Sequence, residues 1–191
     1  MNSKKYDEGN FEEFILSHLC EKDKYNEEKL EDFDPDRGIF PDSVISFVKE
    51  TQPNKWEKLK KAYKDNARKR FLQDLTSAME SRGTLEIIRH GLRTTGTTID
   101  LAAFKPNTGV NPEVKKRYEA NRLGVTSQFY YSTTNPNRSI DLALSINGIP
   151  VATAELKNAM TGQTIEDAKI QYKTDRDPGE PVLKFKRGAL V

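Results

Sequence analysis

The sequence predicts an α/β fold in which helices flank a mixed β-sheet, and three observations support this prediction. Apolar residues recur at helical spacing near the N-terminus and again between about residues 53 and 83. Between residues 139 and 157, apolar and polar residues alternate on either side of one turn, as in a β-hairpin. A helical segment and a strand-like segment follow this hairpin. Helices before and after strands in this order are typical of an α/β sandwich around a mixed sheet.

The first half of the chain is predicted to be mostly helical. The first helix spans about residues 10–20, and the polar residues 21–42 are typical of a loop. A second helix begins near Pro53, a favoured first helical residue, and a third helix or a continuation ends at Gly83. The apolar positions of these helices are Phe11, Phe14, Ile15, Leu19, Trp56, Leu59, Tyr63, Ala67, Phe71, Leu72, Leu75 and Met79.

Shorter elements are predicted in the second half. Thr164 and Asp167 have the spacing of a capping box and favour a helix start. The predicted strands span residues 84–89, 98–104, from 128 to 131 onward and 184–191, and the predicted helices span residues 112–122 and 164–174.

The hairpin carries three charged residues whose spacing suits metal-dependent chemistry. Thirteen residues separate Asp141 from Glu155, and Lys157 follows two positions later. Residues two apart on a strand share a face, so Glu155 and Lys157 point the same way. Two carboxylates beside a lysine can hold a hard divalent cation and face a phosphate. The pattern predicts a metal-dependent phosphodiester nuclease, although such spacings and salt-bridge clusters also arise by chance in a charge-rich chain.

The register of the hairpin decides whether the two carboxylates meet. A two-residue Asn147-Gly148 loop would place Asp141 opposite Ala154. Apolar residues would then face polar ones along the whole ladder, because a slip of one residue turns every side chain to the other face. A three-residue connection, or a bulge at Gly148, places Asp141 opposite Glu155. Directly opposed Cβ atoms lie about 4.5–5.5 Å apart, close enough to share one metal ion. We therefore expect this second register.

Composition limits the classes of partner. The chain has 31 Lys and Arg against 29 Asp and Glu, a net charge of +2, so bulk charge does not hold it to DNA. The single cysteine, Cys20, excludes a disulfide within the chain and suits a reducing cytosol, so we expect a cytoplasmic location. The sequence has neither an apolar N-terminal stretch typical of a signal peptide nor an apolar run long enough to span a membrane.

Two other charged features of the sequence each have a structural interpretation. Asp100 lies in a Thr-Ile-Asp-Leu-Ala segment that resembles the one around Asp141, but no Glu-x-Lys follows it at hairpin distance. We interpret Asp100 as a strand-edge or turn residue. A basic patch can contact DNA phosphates, although charged helix faces are mostly just solvated. The residues of this patch are Lys58, Lys60, Lys61, Lys64, Arg68, Lys69 and Arg70.

The run NRSIDLALSINGIPVATAELKNAMTGQTIEDAKIQYKTDRDP, followed by LKFKRGALV, resembles the N-terminal nuclease domain of the restriction (R) subunit of type I restriction–modification enzymes. The resemblance continues upstream through FEEFILSHL, FVKETQPNKWEKL and GTLEIIRHGLR, and so covers nearly the whole chain. It implies a PD-(D/E)XK, restriction-endonuclease-like nuclease fold and Mg²⁺-dependent cleavage of double-stranded DNA. It also implies that Asp141 and Glu155 are metal ligands and that Lys157 orients or activates the attacking water. Ile140 stands where the family usually has proline.

The resemblance implies two accessory residues. Glu12 matches a Phe-Glu pair on the first helix and would approach the metal, whereas a solvated N-terminal charge is the alternative. Gln171 matches the first residue of a Gln-x-x-x-Tyr pattern, and we expect it to contact DNA. The residue four positions later is Asp175, and a tyrosine lies directly beside the glutamine at Tyr172, so the partner of Gln171 is left open.

We expect a single endonuclease domain over residues 1–191, with a helical insertion at about 53–83 and a catalytic core at about 84–191. The chain contains no G-x-x-x-x-G-K-[S/T] phosphate loop, so the ATP-binding motor that the resemblance implies would follow it, and we interpret the chain as an N-terminal fragment. The implied partners are double-stranded DNA and the methyltransferase and specificity subunits. The alternatives are a non-catalytic DNA-binding or docking module and a repair or recombination nuclease of the same fold.

Overall fold

The computed structural model describes residues 8–22, 24–106, 111–157 and 164–190. Its helices are α1 (Glu8–Glu21), α2 (Pro41–Thr51), α3 (Pro53–Tyr63), α4 (Ala67–Arg82), α5 (Thr84–His90), α6 (Pro112–Glu119) and α7 (Ile165–Thr174). Its strands are β1 (Asn26–Glu27), β2 (Leu92–Thr94), β3 (Thr97–Ile99), β4 (Leu123–Tyr130), β5 (Ser139–Ile146), β6 (Ile149–Ala154) and β7 (Ala189–Leu190).

The described strands form a mixed five-stranded sheet. Its order is β1-β4-β5-β6-β7, in which β4, β5 and β6 are antiparallel neighbours and the edge strands β1 and β7 run parallel to theirs. The antiparallel pair β2-β3 forms a separate small sheet. Helices flank the main sheet, so the predicted α/β class with a mixed sheet is confirmed.

Two apolar clusters hold the helices and loops to the sheet. The larger cluster packs helices α2, α3, α4 and α5 and the β2-β3 pair against Ile149, at the start of β6. The smaller cluster reaches Ile140 of β5 and includes the aromatic side chains of Phe33, Phe40, Phe129 and Tyr131. Complete burial of one large apolar side chain contributes about 1.5–3 kcal/mol, so the part of β5 next to Asp141 is firmly packed.

The turn between β5 and β6 is a two-residue Asn147-Gly148 loop that pairs Ile146 with Ile149. Both loop residues have positive φ, +51° and +81°, as a type I′ turn requires. A Cβ at Gly148 would lie 2.6 Å from the backbone oxygen of Phe40, so only glycine fits there. The predicted three-residue connection or bulge at Gly148 is therefore wrong.

A β-bulge further along β6 restores the expected register. The pairs on either side of it are Ser145 with Pro150 and Leu144 with Ala152, which leaves Val151 as the extra residue. Because the side-chain period of a strand is two, one extra residue reverses the face of everything after it. The rest of the hairpin therefore pairs as the alternation of apolar and polar residues demands.

Residues 84–89 form helix α5 and not the predicted strand. The helix begins directly after Gly83, whose φ of +95° separates it from α4, and it buries Ile87 and Ile88 in the larger cluster. A seven-residue element is too short for its apolar period to distinguish helix from strand. Its two adjacent isoleucines favour a strand when propensity alone is considered.

Other boundaries also differ from those predicted. No helix is predicted from the sequence at α2, whose first residue, Pro41, lies inside the polar stretch 21–42 assigned to a loop. The same stretch also contains β1. Strand β4 begins earlier than expected, at Leu123, while β3 and β7 are shorter. The predicted helices around residues 53–83 and 164–174 are confirmed as α3, α4 and α7. The Asp167 carboxylate accepts a hydrogen bond from the Thr164 backbone N–H at 2.7 Å, as in a capping box.

None of the helices within the described ranges has both the length and the apolar character that a membrane span needs.

Candidate active site

The structure brings Asp141 and Glu155 together at one end of the β5-β6 ladder. Leu142 pairs with Ala154, so the next position along sets Asp141 opposite Glu155, the residue directly after β6. The Oδ2 atom of Asp141 accepts a hydrogen bond from the backbone N–H of Leu156 at 2.6 Å. This bond fixes the Asp141 carboxylate against the backbone segment that carries Glu155.

The Glu155 carboxylate is buried and paired with a cation. Its side chain is 1% exposed and forms an ion pair with Arg176, whose own side chain is 9% exposed. Burial raises the pKa of Glu155, the Arg176 hydrogen bond and charge oppose this rise, and the negative charge of Asp141 adds to it. The Arg176 guanidinium also lies over the Tyr131 ring, 5.8 Å from its centroid. Charges buried in this way interact more strongly than charges in water.

Arg176 is a site residue that sequence reasoning missed. It lies after α7 in an Asp-Arg-Asp-Pro stretch, a composition typical of a turn. Glu180, four residues later, ties this segment to the loop after β4 by accepting hydrogen bonds from the backbone N–H and the hydroxyl of Thr133, both at 2.9 Å. The only feature of the sequence that could have indicated Arg176 is its position shortly after Gln171, in the part of the chain that carries the family resemblance.

Lys157 lies beyond the end of β6, which stops at Ala154, so the strand ends before it reaches Glu155 and Lys157. Its positive charge acts on Glu155. Hydrogen bonds from Thr164, and then the charge of Lys157, hold the pKa of Asp167 below its usual range. Lys157 therefore lies within electrostatic range of both Glu155 and the first turn of α7.

Tyr172 covers the site from α7. Its hydroxyl donates a hydrogen bond to the Thr153 hydroxyl on β6 at 3.0 Å. Burial raises the pKa of Tyr172 to about 12, and the charges of Glu155 and Asp141 contribute to this rise. The phenol therefore stays protonated at neutral pH. Among the described residues, the neighbouring Gln171 is half-buried and makes no side-chain hydrogen bond, so its DNA-contacting role stays a prediction.

Glu12 reaches the strand next to Asp141. Its carboxylate accepts a hydrogen bond from the Gln128 side chain at 2.7 Å. Gln128 lies between Ser127 and Phe129, which pair with Leu142 and Ile140 on either side of Asp141. Its φ of +45° is unusual for a non-glycine residue. The structure thus places Glu12 one strand away from Asp141, while its approach to a metal stays a prediction.

A family model for the type I restriction enzyme R protein N terminus matches residues 5–185. The match contains every residue of the site described above. The chain belongs to this family. The family predicted from the sequence is thereby confirmed. A search of curated proteins found no match.

The candidate site of this R-protein N terminus offers oxygen atoms, the type of ligand that suits a hard divalent cation. Carboxylate and carbonyl oxygens are the ligands that Mg²⁺ prefers, and Asp141 and Glu155 offer two carboxylates side by side. Within the described ranges, no group of three or more His, Cys, Asp and Glu residues has the arrangement of a metal site. Water or substrate phosphate would have to complete the coordination, as is usual for Mg²⁺.

Asp100 is a structural residue of the R-protein N terminus, as its sequence context suggested. Its carboxylate pairs with Lys55 at 3.0 Å and with Arg117 at 2.6 Å, and so joins α3 to α6.

The predicted basic patch is exposed on α3, α4 and the turn between them. Two of its members already have acidic partners, since Lys60 pairs with Glu57 and Arg68 pairs with Asp42. Contact of this face with DNA stays a prediction.

Proposed function

We propose that this R-protein N terminus is a Mg²⁺-dependent endonuclease domain of PD-(D/E)XK fold that cuts double-stranded DNA. The observation that carries the proposal is the meeting of Asp141 and Glu155 on a bulged hairpin, with Lys157 two residues beyond. Membership in a restriction enzyme family supports a nuclease over other metal-dependent enzymes. It also favours restriction over repair or recombination.

The chain's own residues suit this chemistry. Asp141 and Glu155 would hold Mg²⁺, which when bound polarises the scissile phosphate and lowers the pKa of a water. The ammonium group of Lys157 has three donors and no acceptor, so it can orient the attacking water and hydrogen-bond a phosphate oxygen as negative charge develops there. The hydrogen bond from Leu156 keeps the Asp141 carboxylate in one orientation.

The proposal extends to the assembly. We propose that the domain works in the cytoplasm with methyltransferase and specificity subunits, and that ATP is bound by a motor elsewhere in the R protein. The DNA recognition sequence would then be set by the specificity subunit.

The Glu155→Gln variant tests the function. Alanine would leave buried Arg176 without a partner, at a cost of about 3–5 kcal/mol, whereas glutamine keeps the shape and a hydrogen-bond acceptor. We expect Glu155→Gln to abolish Mg²⁺-dependent cleavage of plasmid DNA by the complete restriction complex, because it removes one of two metal-binding charges. Asp100→Asn is the matched control, since it also neutralises a paired carboxylate, and it should still cleave. Cleavage at the wild-type rate by a folded Glu155→Gln complex would refute the proposal.

A non-catalytic docking module is the second candidate, and one observation favours it. Arg176 already neutralises Glu155, as expected of a site that has exchanged a metal for a structural cation. If this alternative holds, the complete wild-type complex should translocate on DNA without cutting it in the presence of any divalent cation.

A further inference from the structure

The Arg176–Glu155 pair differs from the other ion pairs of the described residues. Its side chains are 9% and 1% exposed, whereas the next most buried pair, Arg37–Asp34, exposes 37% and 22%. Water therefore screens the charges of Arg176 and Glu155 far less than those of the surface pairs. Any further charge placed beside this pair will act on it strongly.

A divalent cation held by Asp141 and Glu155 would be such a charge. The guanidinium contacts Oε1 of Glu155, one of the two oxygens available to a metal. Arg176 cannot avoid the repulsion by losing its proton, because a guanidinium stays protonated in proteins. Its segment is also held in place by the hydrogen bonds of Glu180 to Thr133. The guanidinium must therefore turn away from Glu155, or the metal must bind weakly.

We propose that Arg176 is a built-in competitor of the divalent cation for Glu155, and that it sets the metal affinity of the site. This inference rests on the proposed function, because it requires a metal at Asp141 and Glu155. Arg176 is a positioning residue in this role: it acts on the metal through the carboxylate that the two share.

Binding of Mn²⁺ to this chain, measured by electron paramagnetic resonance, tests the inference without any cleavage assay. Arg176→Gln removes the competing charge, so we expect Mn²⁺ to bind about tenfold more tightly, a coupling of ordinary size between two sites. Arg37→Gln removes the arginine of the next most buried ion pair without touching Glu155 or the segment after α7, and it should leave the Mn²⁺ affinity unchanged. Asp141→Asn should abolish binding in both the wild-type and the Arg176→Gln backgrounds.

Thermal unfolding of the same variants adds a second readout. Arg176→Gln leaves Glu155 buried without its cation, so its melting temperature should be lower than that of the wild type. A ligand that binds only the folded state stabilises it more when it binds more tightly. Mn²⁺ should therefore raise the melting temperature of Arg176→Gln more than that of the wild type.

The outcomes separate the inference from the proposed function. Asp141-dependent Mn²⁺ binding that is no tighter in folded Arg176→Gln overturns the inference and leaves the metal site standing. Absence of Asp141-dependent binding in both proteins overturns both.

If Arg176→Gln does not fold, nitrogen-15 spectra of the arginine side chains in the wild-type chain can show whether a divalent cation affects Arg176. Mg²⁺ should shift the guanidinium signal of Arg176, and Asp141→Asn should prevent this shift. An unchanged Arg176 signal at Mg²⁺ concentrations that shift the Asp141 carboxylate would overturn the inference.

Discussion

The carboxylate of Glu155 is buried and that of Glu28 is half-buried, and the two are compensated differently. Glu155 has the guanidinium of Arg176 as its partner, whereas Glu28 accepts a hydrogen bond from the neutral hydroxyl of Ser145. Burial raises the pKa of both carboxyl groups. A hydroxyl offsets less of the desolvation cost than a cation does, so the charged form of Glu28 opposes folding.

The pH dependence of stability should therefore report on Glu28. Its pKa in the folded state lies above its pKa in the unfolded state, so its contribution is fully present at low pH and is lost as the pH rises through the folded pKa. Glutamine cannot ionise and escapes this loss. We expect the melting temperature of Glu28→Gln to increase relative to that of the wild type as the pH rises from about 4 to about 7. Thermal unfolding across this range measures the gain, and a difference that does not vary with pH would contradict the argument.

Lys157→Arg distinguishes two roles for the lysine. Arginine keeps the charge but replaces a compact ammonium with a broad planar group. If Lys157 positions one water, the variant should lose cleavage by about 100-fold, the cost of a small misplacement, and should still bind DNA. Cleavage and DNA binding measured on the same complex provide the answer. Near-normal cleavage would mean that Lys157 only neutralises phosphate charge.

At the scale of elements, the alternation of apolar and polar residues predicted the site better than the turn residues did. Only one register keeps the apolar faces of β5 and β6 together, and that register brings Asp141 to Glu155. The alternation cannot locate the extra residue, because a three-residue turn and a two-residue turn with a bulge at Val151 have the same effect on the register beyond them. Arg176 escaped prediction for another reason: its partner is 21 residues away in sequence, and only the path of the chain after α7 brings them together.

Deletion of Val151 tests the importance of the bulge. Without the extra residue, β6 beyond that point turns over and carries Glu155 to the opposite face of the hairpin. We expect the deletion variant to lose Mn²⁺ binding and DNA cleavage. Val151→Ala is the matched control, because it keeps the residue count and should retain both. A folded deletion variant that still cuts DNA would show that the register is not decisive.

At the scale of the whole molecule, the candidate site gathers distant parts of the chain, from α1 through the central strands to the segment after α7. All of its residues lie within the range matched by the R-protein family. If a motor lies elsewhere in the R protein, as proposed, these residues of the candidate site are separate from it.

Cutting and translocation should accordingly be separable. We expect a complete complex with Glu155→Gln to move along DNA at the wild-type rate while it fails to cut, because the substitution changes one buried group and no motor residue. A triplex-displacement assay follows translocation, and a plasmid assay follows cleavage in the same preparation. Loss of both activities would indicate a folding or assembly defect and would count against a purely catalytic role.

The short strand β7 affects how the domain would respond to a pulling force on its C-terminal end. It is joined to β6 by only two residue pairs, Ala152 with Ala189 and Thr153 with Leu190, at the edge of the sheet. A pull on the chain beyond Leu190 loads these pairs first. They would break at a lower force than the longer β5-β6 ladder, so β7 would peel away while the hairpin kept its shape. Tension generated along the polypeptide would thus be released at the sheet edge before it reached the two carboxylates.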